Sequence, residues 1–169
     1  MPTPADSAIV VRRMELEDLP GVYALGEAVF TADKWPTLYR TWDEYEPVGL
    51  FSSDGEFCFV AEGDGRLVGF ALGALIEKRK SAWTYGYLTW LAVEPALKRT
   101  GIATQLIDAI TEAFIRAGAR IMIVDTDAEN ETAIAFFRRH GFRHEDRHIY
   151  LAKNLTSHPS YHRLRRQRE

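Results

Sequence analysis

The sequence predicts an α/β (α+β) domain with a mixed, mostly antiparallel sheet that contains a parallel strand pair and is flanked by helices; three observations carry this. Two apolar runs, Phe57 to Glu62 and Leu67 to Ile76, flank Gly63-Asp64-Gly65-Arg66, and an Asp-Gly step between such runs marks an antiparallel hairpin. Tyr85 to Val93, Gly101 to Ala117 and Arg120 to Asp125 read as strand, helix and strand, a βαβ unit with a right-handed crossover. The length of 169 residues, 46% apolar and 27% charged, suits one buried core and excludes large-scale disorder.

In chain order, alternation and β-branching make Ala8 to Arg13 a strand, and a helix follows from Asp18, an N-cap with Pro20 in the first turn, to Phe30. Leu19, Val22, Leu25 and Val29 repeat at helical spacing along it. Residues 31 to 56 interleave Trp35, Pro36, Tyr39, Trp42 and Tyr45 with Asp43, Glu44 and Glu46, and read as one or two short helices in a long connection. After the hairpin, Pro95 stops the third strand. The next helix aligns Ile102, Leu106, Ile110, Phe114 and Ala117 on one face and ends at Gly118. Arg120 to Asp125 is nearly continuous and apolar, as a strand beside a parallel neighbour should be. Asn130 to His140 is a helix stopped by Gly141, Arg147 to Lys153 a last strand, and the arginine-rich end a solvated or frayed tail.

Composition narrows the function classes. No run approaches the roughly 18 apolar residues of a membrane span, and MPTPADSAIVVRR lacks the apolar core of a secretory signal, so a cytoplasmic protein is expected. The lone Cys58 fits a reducing compartment and reads as a buried, inert thiol between Phe57 and Phe59. His140, His144 and His148 are spaced by four, but Gly141 breaks the helix between them, so no metal site is expected. The net charge of −3 divides into +3 on residues 154 to 169 and −6 on residues 1 to 153. An acidic body argues against a nucleic-acid surface and suits an amine-bearing substrate.

The informative stretch runs from Leu91 to Ala103, a strand that feeds a short loop into a helix N-terminus. A helix start leaves backbone N–H groups without partners and carries the positive end of the dipole, so it seats a pyrophosphate. Gly101 and Ala103 let phosphates approach the backbone, and Lys98 and Arg99 add positive charge. The loop is neither a Walker sequence nor Gly-x-Gly-x-x-Gly, so neither ATP nor a dinucleotide is favoured.

Lys98-Arg99-Thr100-Gly101-Ile102-Ala103 resembles the phosphate loop of the GNAT superfamily of N-acetyltransferases, with Lys98 in place of the usual arginine or glutamine. Asn130-Glu131-Thr132-Ala133-Ile134-Ala135-Phe136-Phe137-Arg138-Arg139-His140-Gly141-Phe142 is similar to that family's Asn-x-x-Ala-x-x-Phe-Tyr-x-x-x-Gly-Phe segment. The resemblance implies acetyl-CoA as cofactor, held where the central parallel strands splay. It implies that Leu91 and Val93 pair with pantetheine, with Ala92 between them, and that Asn130, Ala133, Phe136 and Phe137 border it. The amides from Arg99 through Thr100, Gly101, Ile102 and Ala103 to Thr104 would hold the pyrophosphate. An N–H near Val93 would polarise the thioester carbonyl.

Direct attack on a thioester needs a neutral amine, and free amines have pKa values of about 8 (α-amino) to about 10.4 (lysine), so a base is useful. By the same resemblance Asp125 stands where members acting on ribosomal-protein N-termini carry a glutamate base, and Asp127, of the same parity, is the second candidate. Tyr87 corresponds to another glutamate position, and Tyr85 and Tyr87 read as cleft-lining or proton-relay residues. Phe137 replaces the tyrosine that protonates the leaving thiolate; Tyr85, Tyr150 or water would substitute. The region of residues 35 to 46 would form part of the acceptor wall.

The expectation is therefore an acetyl-CoA-binding N-acetyltransferase domain over residues 1–153 with a basic tail over 154–169. It would move acetyl to a primary amine of a protein N-terminus, a lysine or a small molecule. A catalytically silent acyl-CoA-binding module is the alternative, motivated by Phe137 and Lys98, and homodimerisation stays open.

Overall fold

In the computed structural model, which describes residues 8–31, 41–78 and 83–167, the Asp-Gly step does what its chemistry predicts. Asp64 and Gly65 both adopt positive φ, 54° and 70°, the handedness that matches the twist of two antiparallel strands. The chain runs β1 (Val10–Arg13), α1 (Leu19–Val29), α2 (Tyr45–Asp54), β2 (Cys58–Gly63), β3 (Arg66–Glu77) and β4 (Thr84–Val93), then α3 (Ile102–Arg116), β5 (Ile121–Val124), α4 (Glu131–Arg139) and α5 (Tyr161–Arg165). The sheet order is β1-β2-β3-β4-β5, antiparallel except for the β4–β5 pair.

Each face of the sheet carries its own core. On one face α3 lays down Ile102, Leu106, Ile107, Ile110, Ala113 and Phe114, all buried, against Phe57, Val68 and Leu88. Burial is worth about 1.5–3 kcal/mol for each large apolar side chain, which makes α3 the main clamp on the βαβ unit. Phe114 stacks on Phe57 with centroids 4.9 Å apart and needs Gly86 beneath it, where a Cβ would stand 2.3 Å from the ring. On the other face Val22 of α1 and Trp42 pack with Phe70, Leu72, Trp90 and Cys58, and Leu50 and Phe51 of α2 lie against them.

A one-residue bulge in β4 decides which side chains face which core. Leu72 pairs with Trp90 but Gly73 pairs with Leu88, so Thr89 is the extra residue and alternation reverses there. Leu88 packs under α3, whereas Trp90 and Ala92 pack with Trp42 on the opposite face. The β4–β5 ladder stops just before the bulge, at Leu88↔Val124, and beyond that point the two strands part.

Several expectations need correction. Asp18 precedes α1 but makes no side-chain cap; its carboxylate instead accepts the Glu15 N–H at 2.8 Å and two N–H groups of Arg12 at 2.7 and 2.9 Å. A strongly paired carboxylate is better satisfied there than at a helix start. Arg147 to Lys153 is not a strand: residues 142–154 belong to no helix or strand, and Ile149 and Leu151 stand exposed. A strand exists only with a neighbour to pair with, and none of the described strands lies alongside. The tail is not wholly irregular either, since residues 161–165 form α5, which buries nothing. Of the helical reading for residues 31 to 56, α2 realises part; residues 32–40, with Trp35, Pro36 and Tyr39, lie outside the described residues.

Candidate functional site

Where β4 and β5 part, a cavity of about 1340 Å³ opens between the strand ends, the N-terminus of α3 and one side of α4. A parallel pair that splays at its carboxyl ends, with a helix start pointing in, is the usual place for a ligand in a βαβ unit.

At one end the loop ahead of α3 is shaped for an anion. Arg99 and Gly101 both have positive φ, 68° and 87°, and Gly101 caps α3 without any side-chain cap. Among the described residues no backbone acceptor takes the N–H groups of residues 99–104, although Gly101 O does receive the Gln105 N–H. A Cβ built on Gly101 would meet nothing within 4 Å, so the space over these amides is open. Lys98, Arg99 and Arg139 line the same end and are exposed there. Unmatched donors, a helix dipole and cationic side chains together fit a diphosphate. Ile102 contributes backbone only, since its side chain is buried in the α3 core.

Every residue expected at the cofactor lines this cavity except Thr100, whose hydroxyl turns away to donate to Leu97 O at 2.6 Å. Asn130 lines it while capping α4: its Oδ1 accepts the Ala133 N–H at 3.2 Å and its Nδ2 donates to Thr126 Oγ1 at 3.2 Å. Phe136 and Phe137 form an edge-on pair on the α4 wall, so no hydroxyl stands at Phe137. His140, unassigned from sequence, joins the two helices. Its Nδ1 donates to Phe136 O at 2.9 Å, which leaves Nε2 to accept the Thr104 hydroxyl at 3.0 Å in the neutral ring.

At the other end the wall is acidic. Asp125, Asp127 and Glu27 face the cavity from the end of β5 and from α1. Tyr87 does not line it, but its hydroxyl donates to Asp125 Oδ1 at 2.6 Å from the neighbouring strand. Asp127 is occupied differently: its Oδ1 accepts the Glu129 N–H at 2.8 Å and so shapes the turn into α4. Tyr85 lies two residues back along β4, outside the lining, with the Lys78 ammonium 5.3 Å from its ring centroid. Tyr150 is exposed and also outside it. The structure thus places Asp125 at the cavity with Tyr87 hydrogen-bonded to it from outside the lining, and gives Tyr85 and Tyr150 no place in the lining.

An aromatic floor completes the acidic end. Phe30, Trp42 and Trp90 pack with centroids 4.8–5.4 Å apart; Trp42 donates its indole N–H to Tyr23 O at 3.1 Å and Trp90 donates to Glu46 at 2.8 Å. Trp42 and the acidic residues near it were expected on an acceptor wall, whereas Phe30, Thr31 and Glu27 carried no sequence signal of their own. Thr31 Oγ1 is buried on this wall with no hydrogen-bond partner among the described residues. Burial first, and then the nearby Glu27 and Glu44 carboxylates, raise the Tyr23 hydroxyl above its ordinary pKa.

Cys58 takes no part in the cavity. Burial pushes its thiol up to about 12, and it rests 3.7 Å from Asp54 O. Among the described residues no group of three His, Cys, Asp or Glu could hold a metal ion, and no helix is long and apolar enough to cross a membrane.

A parallel pair whose ladder ends at a cavity, an uncapped helix start and a carboxylate at the strand end suit a transferase that uses an acyl-CoA. Comparison with known proteins agrees: the sequence profile of the acetyltransferase (GNAT) family matches residues 23–142, and the chain belongs to that family, whose cofactor is acetyl-CoA. It is 32% identical over 87 residues to N-alpha-acetyltransferase 30 of Schizosaccharomyces pombe, an alignment covering 52% of this chain and 57% of that one. It is 31% identical over 118 residues to an uncharacterised N-acetyltransferase of Methanocaldococcus jannaschii, covering 67% and 47%. The chain therefore spans about half the length of these curated relatives. Its fold matches the aminoglycoside N-acetyltransferase AAC(6')-Iy in complex with CoA with a TM-score of 0.70 at 24% identity, covering 89% of this chain and 98% of that one.

Proposed function

We propose that this protein transfers the acetyl group of acetyl-CoA to a primary amine by direct attack, with Asp125 as the base. The observation that supports this reading most is the placement of Asp125 at the mouth of the splay, hydrogen-bonded by Tyr87 and opposite the uncapped start of α3. The cavity is cationic where the phosphates would lie and anionic where an amine would enter, which matches the two substrates in charge.

Acetyl-CoA, when bound, supplies an activated acyl thioester. The amides of residues 99–104 with Lys98 and Arg99 would hold its phosphates, and the β4 segment Leu91–Val93 would border its arm. Asp125 Oδ1 is held by the Tyr87 hydroxyl, and the Asp125 carboxylate takes the proton from the attacking nitrogen. Glu27 and Asp127 draw the amine in as a cation, and the buried Thr31 hydroxyl offers a partner for a polar group next to it. Phe137 supplies no proton to the departing sulfur. A thiol of pKa about 8.5 leaves tolerably as its anion, so this lowers the rate without abolishing transfer.

The acceptor class follows from the same wall. An α-amine with a pKa of about 8 asks less of a single aspartate than a lysine amine of about 10.4. The chain's likeness to an N-alpha-acetyltransferase points the same way, and its likeness in fold to an aminoglycoside acetyltransferase keeps a small polyamine in view. The activity is assigned to residues 1–153, with 154–169 as an appended basic segment.

The test is to incubate the protein with acetyl-CoA and three acceptors: a peptide with a free N-terminus, an N-terminally blocked peptide with one lysine, and a polyamine. Free thiol is followed over time. Acceptor-dependent thiol release, fastest with the free N-terminus, is expected. Calorimetric binding of acetyl-CoA with no acceptor-dependent release would make the chain a silent acyl-CoA-binding module.

A further inference from the structure

The first turn of α3 and the end of α4 meet at the wall of the cavity, and a short chain of hydrogen bonds joins them. Thr104, in the first turn of α3, meets His140, the residue that ends α4, with Oγ1 3.0 Å from Nε2. On its other side the imidazole Nδ1 donates to Phe136 O at 2.9 Å, and the ring packs on the Phe136 ring with centroids 4.3 Å apart. A ring nitrogen that donates to a carbonyl fixes the tautomer of the neutral imidazole, so Nε2 is the acceptor and the Thr104 hydroxyl the donor. Both residues are half-buried, and both line the cavity.

Among the described residues no other side-chain hydrogen bond or ion pair joins α3 to α4. Asn130 caps its own helix, and Arg138 pairs with Glu145 beyond the helix end. Phe136 and Phe137 pack against the α3 core, but apolar burial is non-directional and fixes no register by itself. Thr104 belongs to the run of residues 99–104 whose N–H groups find no backbone acceptor, and Ala133 and Phe136 form the α4 wall of the same cavity. The Thr104–His140 hydrogen bond is thus the directional link between those amides and that wall.

We propose that His140 is a positioning residue for acetyl-CoA: by holding the Thr104 hydroxyl it keeps the first turn of α3 and the α4 wall at the spacing the cofactor needs. The proposal rests on the reading that acetyl-CoA occupies this cavity. His140 acts through Thr104 and needs no contact with the cofactor of its own. Holding the two walls in place before the cofactor arrives lowers the ordering cost of binding, so the effect falls on affinity. A carbonyl on one side of the ring and a hydroxyl on the other leave the imidazole one arrangement, which is why this position needs two ring nitrogens and not merely a flat side chain.

Calorimetric titration of the full chain with coenzyme A, together with nitrogen-15 NMR of the histidine rings, tests this. In the free wild-type protein the His140 ring should carry its proton on Nδ1. Thr104→Val keeps the shape and removes the hydroxyl, and His140→Phe keeps a ring on Phe136 and removes the nitrogens. Each should weaken coenzyme A binding by about three- to ten-fold, the worth of one hydrogen bond. The double variant should bind no more weakly than either single one, because both remove the same bond. Thr104→Ser, which retains the hydroxyl, should bind as the wild type does. Losses that add in the double variant overturn the proposal and make Thr104 a direct phosphate donor that acts without His140. A neutral His140 ring protonated on Nε2 also overturns it. So does a Thr104→Val protein that binds as tightly as the wild type, whatever His140→Phe does to the melting temperature. A wild type with no affinity for coenzyme A removes the reading of the cavity along with the proposal, whereas failure of the variants alone leaves that reading standing.

Discussion

Tyr87 and Asp125 sit on neighbouring parallel strands, and the Tyr87 hydroxyl donates to Asp125 Oδ1 across 2.6 Å. The ladder pairs Tyr87 with Ile123, and Asp125 lies two residues further along on the same face, beyond the last paired residue Val124. The hydrogen bond therefore spans the point where the strands part and fixes a carboxylate that the ladder no longer holds.

If Asp125 takes the proton, Asp125→Ala should lower kcat by about 10²- to 10⁴-fold at neutral pH. The loss should shrink as pH rises and free amine becomes available. Tyr87→Phe removes one hydrogen bond that orients the base, worth about 1 kcal/mol, and should cost under about ten-fold. Rate profiles across pH decide it: a loss in Asp125→Ala that is flat with pH makes Asp125 a positioning residue.

Phe137 packs against Phe136 and Phe142, with centroids 5.4 Å apart in each case, on the α4 side of the cavity. Phe137→Tyr adds only a hydroxyl there and should preserve or raise turnover. A several-fold fall in kcat with an unchanged melting temperature would show that the leaving group needs the apolar ring.

Gly101 stands at φ 87° with open space around its α-carbon, so only backbone conformation opposes a side chain at this position. Gly101→Ala should cost about 1–2 kcal/mol in that conformation. Part of the cost should appear as coenzyme A affinity weakened by about ten-fold, because the loop that aims the amides is the strained element. Titration calorimetry measures it. Unchanged affinity would separate the loop from phosphate binding.

Asp18 gives a stability signature in acid. The Arg12 guanidinium beside it is the main cause that holds its carboxyl below the usual range, with the Glu15 N–H adding to the effect. Because the folded-state pKa is lowered, the pair's contribution is present above the unfolded value of about 3.9 and is lost as pH falls through the folded value. Arg12 is partly open to water, which limits the contribution to about 1 kcal/mol. Asp18→Asn should lose that amount at pH 7 and show a shallower decline below about pH 4. Urea midpoints against pH test it, and identical slopes in both proteins would remove Asp18 from the account.

Much of this was legible in the residues. The Asp64-Gly65 hairpin and the amphipathic α3 follow from rules of local conformation and periodicity. The unmatched amides ahead of α3 were legible because their exposure depends on where a helix starts and not on distant contacts. Asp125 was picked out by its correspondence with the family's glutamate position, and its place at the end of β5 followed from where the apolar run stops. Arg147 to Lys153 misled because alternation records only that a segment is fit to pair, and pairing needs a neighbour.

The chain's local chemistry was enough to specify the elements from β1 to α4, their order and the uncapped start of α3. Tertiary structure alone supplied the bulge at Thr89, which reverses the facing of β4 and sends Trp90 to the α1 face while Leu88 stays under α3. It alone brought Tyr87 to Asp125, placed Tyr85 outside the cavity, and joined Thr104 to His140 across α3 and α4. The physical reason is range. Turn geometry and helix periodicity act over a few neighbouring residues, whereas these contacts join residues 36 to 38 positions apart and depend on how two strands separate.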